Sequence, residues 1–273
     1  MNWNSNKPII MGILNLTPDS FSDGMPQAST RDFLRKATKL INEGCDILDI
    51  GGESTRPDAV PVPLKEERKR ILDFLNLFRS EHPDFPISLD TKKYELAQEA
   101  MTYKIAVLND VSFLSDSRFL HLAKQYNAYY VLMHTRGTSQ NMMQQTSYPE
   151  GLKETIHREL TEKLALIEKE NFPKDKLIID LGFGFAKSPE QCVSLCTSLE
   201  QWQCFNLPLL FGVSRKRFIQ KYTGENEPFA RDNQSAKLAK LAYYSGFHII
   251  RTHNVVLTKE VLNVNSPQQG NNL

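Results

Sequence analysis

The stretch Asp46-Ile47-Leu48-Asp49-Ile50-Gly51-Gly52-Glu53 joins a short apolar run to a polar ending, and this pattern recurs along the chain. Buried strands of a parallel sheet have such runs, because helices cover both faces of the sheet. Runs of this kind, rich in Ile, Val and Leu, are Pro8–Leu14, Asp46–Ile50, Phe85–Leu89, Ile105–Leu108, Ala128–Met133, Lys176–Ile179, Leu207–Val213 and Phe247–Ile250. The sequence therefore predicts eight parallel strands.

A polar residue able to hold a ligand stands at the end of nearly every run. These residues are Asn15, Gly51 and Glu53, Asp90, Asn109 and Asp110, His134, Asp180, Ser214 and Lys216, and Arg251 and His253. In a (β/α)8 barrel the C-terminal ends of all strands lie on one face, where such barrels build their active sites. The pattern predicts an α/β protein of the TIM-barrel type with a site at that face.

The segments between the runs show helical periodicity. They cover residues 30–43, 64–79, 92–103, 116–126, 151–170, 189–199, 215–222, 231–245 and 255–262. Alternation of strands and helices favours a parallel sheet. Because such a barrel needs about 250 residues and the chain has 273, we expect one domain over residues 1–262 and a frayed polar tail over 263–273.

Composition excludes several classes of protein. Lys and Arg total 33 against 32 Asp and Glu, so a broad charged surface for nucleic acid or membrane is not expected. No apolar run reaches the ~20 residues of a membrane span, and the polar start lacks the features of a signal peptide. The cysteines, too few and unevenly spaced for a disulfide framework, are Cys45, Cys192, Cys196 and Cys204. We expect reduced thiols and a cytoplasmic protein.

Two connections are longer than a barrel requires. Residues 15–29 and 51–63 are rich in Gly, Pro, Ser and Asp, and long loops of this kind tend to be lids or binding loops. We interpret both as mobile covers of the site. The alternative is a pair of solvated surface turns.

Three strand ends carry acidic or amide side chains, namely Asp90, Asn109 and Asp180. A buried polar group must find a partner, since leaving it unpaired is costly. Together these groups can accept from and donate to the edge of a flat, nitrogen-rich ring such as a pterin or a purine. Taken singly, Asp90 could instead cap a helix at Thr91, and Asp110 could bond a loop backbone.

Cationic side chains follow the second, seventh and eighth runs. They are Arg56, Lys216, Arg251 and His253. Gathered at one edge of the barrel mouth, they would bind a phosphate or carboxylate group. His134 stands alone after the fifth run, and a structural histidine with satisfied hydrogen bonds is as good an interpretation as a functional one.

Longer motifs carry a resemblance to a known family. Two of them are long enough to be specific: Asn15-Leu16-Thr17-Pro18-Asp19-Ser20-Phe21-Ser22-Asp23-Gly24 and Asp49-Ile50-Gly51-Gly52-Glu53-Ser54-Thr55-Arg56-Pro57. Shorter motifs follow in order: Ser88-Leu89-Asp90-Thr91, Asn109-Asp110-Val111-Ser112, Leu132-Met133-His134, Asp180-Leu181-Gly182-Phe183-Gly184-Phe185, Gly212-Val213-Ser214-Arg215-Lys216 and Arg251-Thr252-His253. From Pro8 to about Leu262 the chain resembles the dihydropteroate synthases of folate biosynthesis.

That resemblance implies a TIM barrel that condenses 7,8-dihydropterin-6-ylmethyl diphosphate with 4-aminobenzoate, giving 7,8-dihydropteroate and pyrophosphate. The residues it implies for the pterin are Asp90, Asn109, Asp180 and Lys216. For the diphosphate it implies Arg56, Arg251 and His253, with Asn15 helping to place Mg2+. For aminobenzoate it implies Phe21, Pro57 and Lys216, with Thr55 between the two substrates. The catalytic residues would be Lys216, Asp180, Arg251 and His253.

Several residues depart from the family's usual pattern: Met25, Phe113, Leu181, Arg217 and Asn254. The family usually has Gly at positions 25 and 113, Pro at 181, Ser at 217 and Asp at 254. Arg217 is the sharpest difference, because the family's Ser lies near the aminobenzoate carboxylate. We expect Arg217 either to pair with that carboxylate or to point into solvent.

Two other functions fit part of the pattern. A pterin-dependent methyltransferase barrel would use a similar Asp and Asn pocket, but it has no need of an anion site at Arg251 and His253. A non-catalytic pterin-binding paralogue would explain the departures in the loops. By analogy with the family we also expect a homodimer, with helices 215–222 and 231–245 in the contact.

Overall fold

The computed structural model of the chain describes residues 7–17 and 28–263. In that part of the chain the strands close into one parallel barrel in sequential order. The strands are β1 (Ile9–Asn15), β2 (Ile47–Gly51), β3 (Ile87–Asp90), β4 (Ile105–Asp110), β5 (Tyr129–Met133), β6 (Leu177–Asp180), β7 (Leu209–Phe211) and β8 (Ile249–Thr252). The predicted TIM barrel is confirmed.

Helices cover the outside of the barrel. Those within the described ranges are α1 (Thr30–Asn42), α2 (Leu64–Glu81), α3 (Tyr94–Ala100), α4 (Arg118–Gln125), α5 (Leu152–Lys169), α6 (Pro189–Cys196), α7 (Arg217–Thr223), α8 (Asp232–Tyr244) and α9 (Val255–Val261). Their apolar faces pack on the outer side of the strands as one continuous core. No helix among the described residues combines the length and apolar character of a membrane span.

The predicted helix over 215–222 starts later than expected. Arg215 has φ 61°, a left-handed conformation that cannot continue into a right-handed helix. Lys216 is therefore the residue before α7 rather than part of its first turn. The predicted helix over 189–199 also ends early, at Cys196, and a separate 3-10 helix spans Leu199–Phe205.

Several strands run one or two residues beyond the apolar runs that predicted them. Asp90, Asn109 and Asp180 belong to their strands rather than to the loops that follow. Asp90 pairs in register with Asn109 and with Gly51. Their side chains are consequently held by the hydrogen-bonded sheet, which is more rigid than a loop.

An apolar layer fills the middle of the barrel. It consists of Met11, Ile47, Val107, Val131, Ile178, Leu210 and Ile249, all buried. On β3 the corresponding residue is Ser88, which lies in register with Val107. The barrel is thus a packed core rather than a pore, and ligands have access only above this layer.

All four cysteines lie within the described residues. Cys45, Cys192 and Cys196 are buried, Cys204 is exposed, and none of the four forms a disulfide. The tail over 264–273 lies outside the described residues, as does most of the first long loop.

Candidate active site

A polar layer lies directly above the apolar layer of the barrel. Since alternate residues of a strand face the same side, the residue two positions after each apolar residue also points inward. On five strands that residue is polar: Asp49, Asp90, Asn109, Asp180 and Arg251. Directly after β7 it is Gly212, where a Cβ atom would come within 3.8 Å of both Asp180 and Arg251. Four residues predicted from the sequence, Asp90, Asn109, Asp180 and Arg251, therefore lie in one polar layer, and we call the space above this layer the cavity.

Arg251 joins two carboxylates within this layer. Its Nε donates to Asp49 at 2.7 Å, and its Nη2 donates to Asp90 at 3.0 Å. Asn109 donates to the other oxygen of Asp49 at 3.2 Å. Burial pulls the pKa of Arg251 down, but Asp49 and Asp90 raise it above its ordinary value. The guanidinium of Arg251 therefore lies among the carboxylates of the polar layer, and not with the other cationic groups at one edge of the mouth as expected from the sequence.

Asp90 has one carboxylate oxygen left for a ligand. Its Oδ1 is buried and has no hydrogen-bond partner within the described structure. Burial, followed by repulsion from Asp49, raises the pKa of Asp90 to about 7, against the attraction of Arg251. The alternative role as a helix cap is not realised, because α3 starts after Lys93 without a side-chain cap. A buried acceptor of this kind calls for a donor from outside the chain.

Lys216 reaches the cavity from the end of β7. Its ammonium donates to the carbonyl of Phe183 and lies 4.5 Å from the centre of the Phe185 ring. Burial lowers the pKa of Lys216 to about 8, although Asp180 opposes the shift. Burial also raises the pKa of Asp180, while Lys216 and the N–H of Gly182, at 2.8 Å, act against it.

His253 and its neighbours form the edge of the mouth beside β7 and β8. The backbone N–H of His253 donates to Ser214 Oγ at 3.1 Å, and its ring Nδ1 lies 3.0 Å from the same oxygen. Burial, and then the charges of Arg215, Arg251 and Arg56, lower the pKa of His253 well below its ordinary value. His253 is thus neutral at physiological pH and sits in a positive field, which suits an anion.

The base of the second long loop is clamped by ion pairs between two lysines and two buried glutamates. Lys93 contacts Glu53 of the loop and Glu67 of α2, while Lys92 pairs with Glu53 at 2.8 Å. Thr91 Oγ1 donates to Glu67 at 2.8 Å. Although burial acts the other way, these lysines lower the pKa of Glu53. The clamp fixes the start of this loop to the turn that follows Asp90.

The remaining predicted residues stand around the mouth. Thr55 and Pro57 are half-buried in the second loop, where Arg56 is exposed. Asn15 is half-buried at the end of β1 and lies in register with Gly51. Phe21 lies outside the described residues.

The family pattern of pterin binding enzymes matches residues 11–253 of the chain. The chain belongs to the pterin-binding enzyme family. It is 37% identical over 257 residues to the dihydropteroate synthase of Escherichia coli K12, which covers 94% of this chain and 90% of that protein.

Solved structures agree with this assignment. The Yersinia pestis dihydropteroate synthase in a sulfonamide drug complex superposes with a TM-score of 0.88 at 32% identity, covering 97% of this chain and 94% of that one. The Xanthomonas albilineans dihydropteroate synthase in complex with 7,8-dihydropteroate gives 0.84 at 32% identity, with 97% and 94% covered. The pterin-binding enzyme described here thus shares both the fold and most of its length with these proteins.

His134 of this pterin-binding enzyme is fully buried and fully hydrogen-bonded. Its Nε2 lies 2.9 Å from Glu159 and its Nδ1 lies 2.9 Å from the ammonium of Lys187. Burial, and then Lys187, lower the pKa of His134 to about 3. An ammonium has no acceptor, so Nδ1 is the unprotonated nitrogen and Nε2–H donates to Glu159. These contacts favour the structural interpretation of this histidine.

Asp110 also has a structural role. Its carboxylate accepts from the backbone N–H groups of Ser112 at 2.8 Å and Leu114 at 3.2 Å, and from the hydroxyl of Tyr130 at 2.6 Å. These bonds hold a turn in which Phe113 has φ 60°. The usual glycine of the family adopts that conformation without strain, whereas Phe113 gains a ring contact with His134 at 5.1 Å.

Two further departures are accommodated locally. Leu181 is buried in the core outside the barrel. Asn254 accepts from the N–H of Leu257 at 3.1 Å and donates to Asp232 at 3.0 Å. An aspartate here would face the carboxylate of Asp232, so asparagine suits this neighbour. Met25 lies outside the described residues.

Reasoning from the sequence missed four residues that shape the site: Asp49, Lys93, Lys187 and Asp232. A signal existed for Asp49, because an acidic residue inside an otherwise apolar strand must have a buried partner. Asp232 forms a bidentate ion pair with Arg215 at 2.6 and 2.8 Å and so fixes the chain just before Lys216. For Lys93, Lys187 and Asp232 no local pattern distinguishes these residues from surface charges.

If Asp90 and Lys216 bind the pterin, as the resemblance implies, their pKa values predict how that binding depends on pH. Asp90 must be ionised to accept a hydrogen bond on each oxygen, one from Arg251 and one from the ligand. It gains a proton as the pH falls through about 7. Lys216 loses its charge as the pH rises through about 8. The value of kcat/KM for a pterin diphosphate should therefore fall on both sides of pH 7–8, since this ratio reports the groups of the free enzyme. A profile that is flat between pH 6 and 9 would contradict these assignments.

Gly182 should be the glycine of this site that least tolerates a side chain. It has φ +64°, and an added Cβ atom would overlap the carbonyl oxygen of His134. Gly224 is a matched control, because it has φ +75° but open space around it. We expect Gly224→Ala to cost about 1 kcal/mol from the backbone conformation alone, and Gly182→Ala to lower the midpoint of thermal unfolding much further. Equal midpoints for the two variants would show that the overlap is relieved without cost.

Proposed function

We propose that the protein is a dihydropteroate synthase, which condenses 7,8-dihydropterin-6-ylmethyl diphosphate with 4-aminobenzoate. The observation that carries this proposal is the free oxygen of Asp90, buried in a layer that also holds Asn109, Asp180 and Arg251. Carboxylate and amide groups facing one cavity match the donors and acceptors on the edge of a pterin ring. The solved relative that binds 7,8-dihydropteroate supports the same ligand class.

The reaction breaks the bond between the pterin methylene carbon and the diphosphate oxygen. The electron pair leaves with pyrophosphate, the aromatic amine forms the new C–N bond, and the amine loses one proton. Positive charge grows on the pterin as the leaving group departs. Asp90 and Asp180 are fixed beneath the cavity, so they stabilise that charge more than they stabilise the neutral ring. No Ser, Cys or His nucleophile is needed.

The cationic edge of the mouth suits the diphosphate. Arg56 is exposed in the second loop, and His253 lies in the field of three arginines. A neutral His253 carries one ring N–H, so when the hydroxyl of Ser214 donates to Nδ1, Nε2–H is left to donate to a phosphate oxygen. In this proposal Arg56 and His253 stabilise pyrophosphate as it leaves, and Arg251 acts from below, where it also holds Asp90.

Asn15 fits a magnesium ion that arrives with the substrate. Its amide oxygen is a hard ligand at the end of β1, and Mg2+ typically combines one or two protein oxygens with substrate phosphates and water. No cluster of three or more acidic, His or Cys ligands stands ready among the described residues. Bound there, Mg2+ would act as a Lewis acid on the diphosphate.

The aminobenzoate site is proposed at the outer end of the cavity. Thr55 and Pro57 are half-buried in the second loop, and Asp58 N–H donates to Ser139 O at 2.9 Å, which ties this loop to the segment after β5. Phe21 would complete the site from the first loop. Lys216 would line both subsites from the end of β7.

The two alternative functions have less support. A methyltransferase would leave His253 and Arg56 without an anion to bind. A non-catalytic paralogue is consistent with the departures in the loops, but the polar layer shows no departure that would remove a ligand group. The homodimer stays a prediction, and exposed Leu241 and Tyr244 on α8 are compatible with it.

Pyrophosphate release separates these functions. Purified protein should release pyrophosphate from 7,8-dihydropterin-6-ylmethyl diphosphate only when 4-aminobenzoate and Mg2+ are present, with dihydropteroate formed in equal amount. A paralogue would bind the pterin diphosphate without turnover, and a methyltransferase would instead consume methyl-tetrahydrofolate. Either outcome would overturn the proposal.

Arg217 should affect the aminobenzoate substrate selectively. Its side chain is 69% exposed and lies 3.9 Å from Asp58, so it is free to turn toward a bound carboxylate. If it pairs with that carboxylate, Arg217→Ser should raise the KM for 4-aminobenzoate by roughly tenfold, as expected for one exposed charge-assisted bond. The KM for the pterin diphosphate should not change. Aniline, which lacks the carboxylate, should show no difference between the two proteins, and an unchanged KM for 4-aminobenzoate would leave Arg217 pointing to solvent.

A further inference from the structure

Lys187 is a buried lysine without a carboxylate partner among the described residues. It is 1% exposed. Its ammonium lies 2.9 Å from Nδ1 of His134 and 3.3, 3.1 and 3.1 Å from the carbonyl oxygens of His134, Gly182 and Phe185, so its three N–H groups are shared among four acceptors. Burial lowers its pKa to about 7, which means that the fold disfavours the charge. Stability alone therefore does not explain why a lysine occupies this position.

Two of the carbonyls that accept from Lys187, those of Gly182 and Phe185, belong to the loop after β6, and the third, that of His134, directly follows β5. Gly182 and Phe185 lie on either side of Phe183, whose own carbonyl accepts from Lys216. The N–H of Gly182 donates to Asp180 at 2.8 Å. The loop after β6 is thus bonded to Lys187 and also to Lys216 and Asp180, the two residues that the proposed function assigns to the pterin.

We propose that Lys187 is a positioning residue for the pterin pocket. It fixes the loop over 182–187 against the end of β5, and through the carbonyl of Phe183 and the N–H of Gly182 it sets where Lys216 and Asp180 meet the ring. This inference rests on the proposed function. Loss of the ammonium would leave the carbonyls of His134 and Phe185 without a donor, while that of Gly182 would keep only the N–H of Phe185 at 3.0 Å. The loop would then relax until these carbonyls found other partners or water.

The test compares Lys187→Met with Glu159→Gln. Methionine keeps the length and apolar stem of lysine but removes the charge and its donors. Glu159 contacts His134 on the side away from the loop, so Glu159→Gln perturbs the same network without touching residues 182–187. Both variants should unfold at lower temperature than the wild type. Only Lys187→Met should weaken binding of 7,8-dihydropterin-6-ylmethyl diphosphate, by roughly ten- to a hundredfold in calorimetry, with the KM for 4-aminobenzoate nearly unchanged.

Two more variants complete the design. Lys124→Met removes an exposed lysine of α4 and should match the wild type in every measurement. If Lys187→Met yields no folded protein, Lys187→Arg replaces it, because its longer, planar head keeps the charge but displaces the donors from the carbonyls. A folded Lys187 variant with wild-type affinity for the pterin diphosphate overturns the inference, as does an equal loss of affinity in Glu159→Gln. Wild-type protein that neither binds nor turns over this substrate would instead overturn the proposed function.

Discussion

The site depends on Arg251, whose guanidinium lies between two buried carboxylates inside a closed barrel. Its guanidinium is fixed by Asp49 and Asp90, and an uncompensated charge at that depth would be strongly destabilising. The same layer holds Asp180, and Lys216 reaches it from the segment after β7. When Asp90 is ionised, three carboxylates therefore face two cations and one negative charge is left over. The strands hold the three carboxylates in position before any ligand binds. A ligand on which positive charge develops is stabilised there with little reorganisation of the protein.

Cationic side chains also hold the loops that surround this layer. Lys93 clamps the second long loop through Glu53 and Glu67, and Lys187 binds the loop after β6 through its carbonyls. Arg231, buried before α8, donates to the carbonyls of Glu225 and Arg215 at 2.9 and 3.0 Å. Each of these side chains lies outside the polar layer, and each determines the position of a segment that borders it. A rigid outer shell of this kind keeps the inner groups in one geometry.

The sequence predicted the barrel well and the site in part. Apolar runs with polar endings determine the fold, because strand ends of a parallel barrel must share one face. Asp90, Asn109 and Asp180 could be found in this way. The position of the Arg251 side chain could not be predicted. The spacing along β8 shows that this side chain points inward, but not that Asp49 lies opposite. Lys187 and Lys93 were missed because their partners are backbone carbonyls and distant carboxylates, which no local pattern reveals. Arg215 was assigned to a helix because its left-handed conformation leaves no mark in the sequence.

In the proposed function, the cavity above the apolar layer receives the pterin ring. A crystal structure of this protein with 7,8-dihydropteroate tests this placement. We expect the pterin ring to donate to the free oxygen of Asp90 and to contact Asn109 and Asp180, while Arg251 still bridges Asp49 and Asp90. A ligand bound elsewhere on the barrel, with the Asp90 oxygen still lacking a partner, would contradict it.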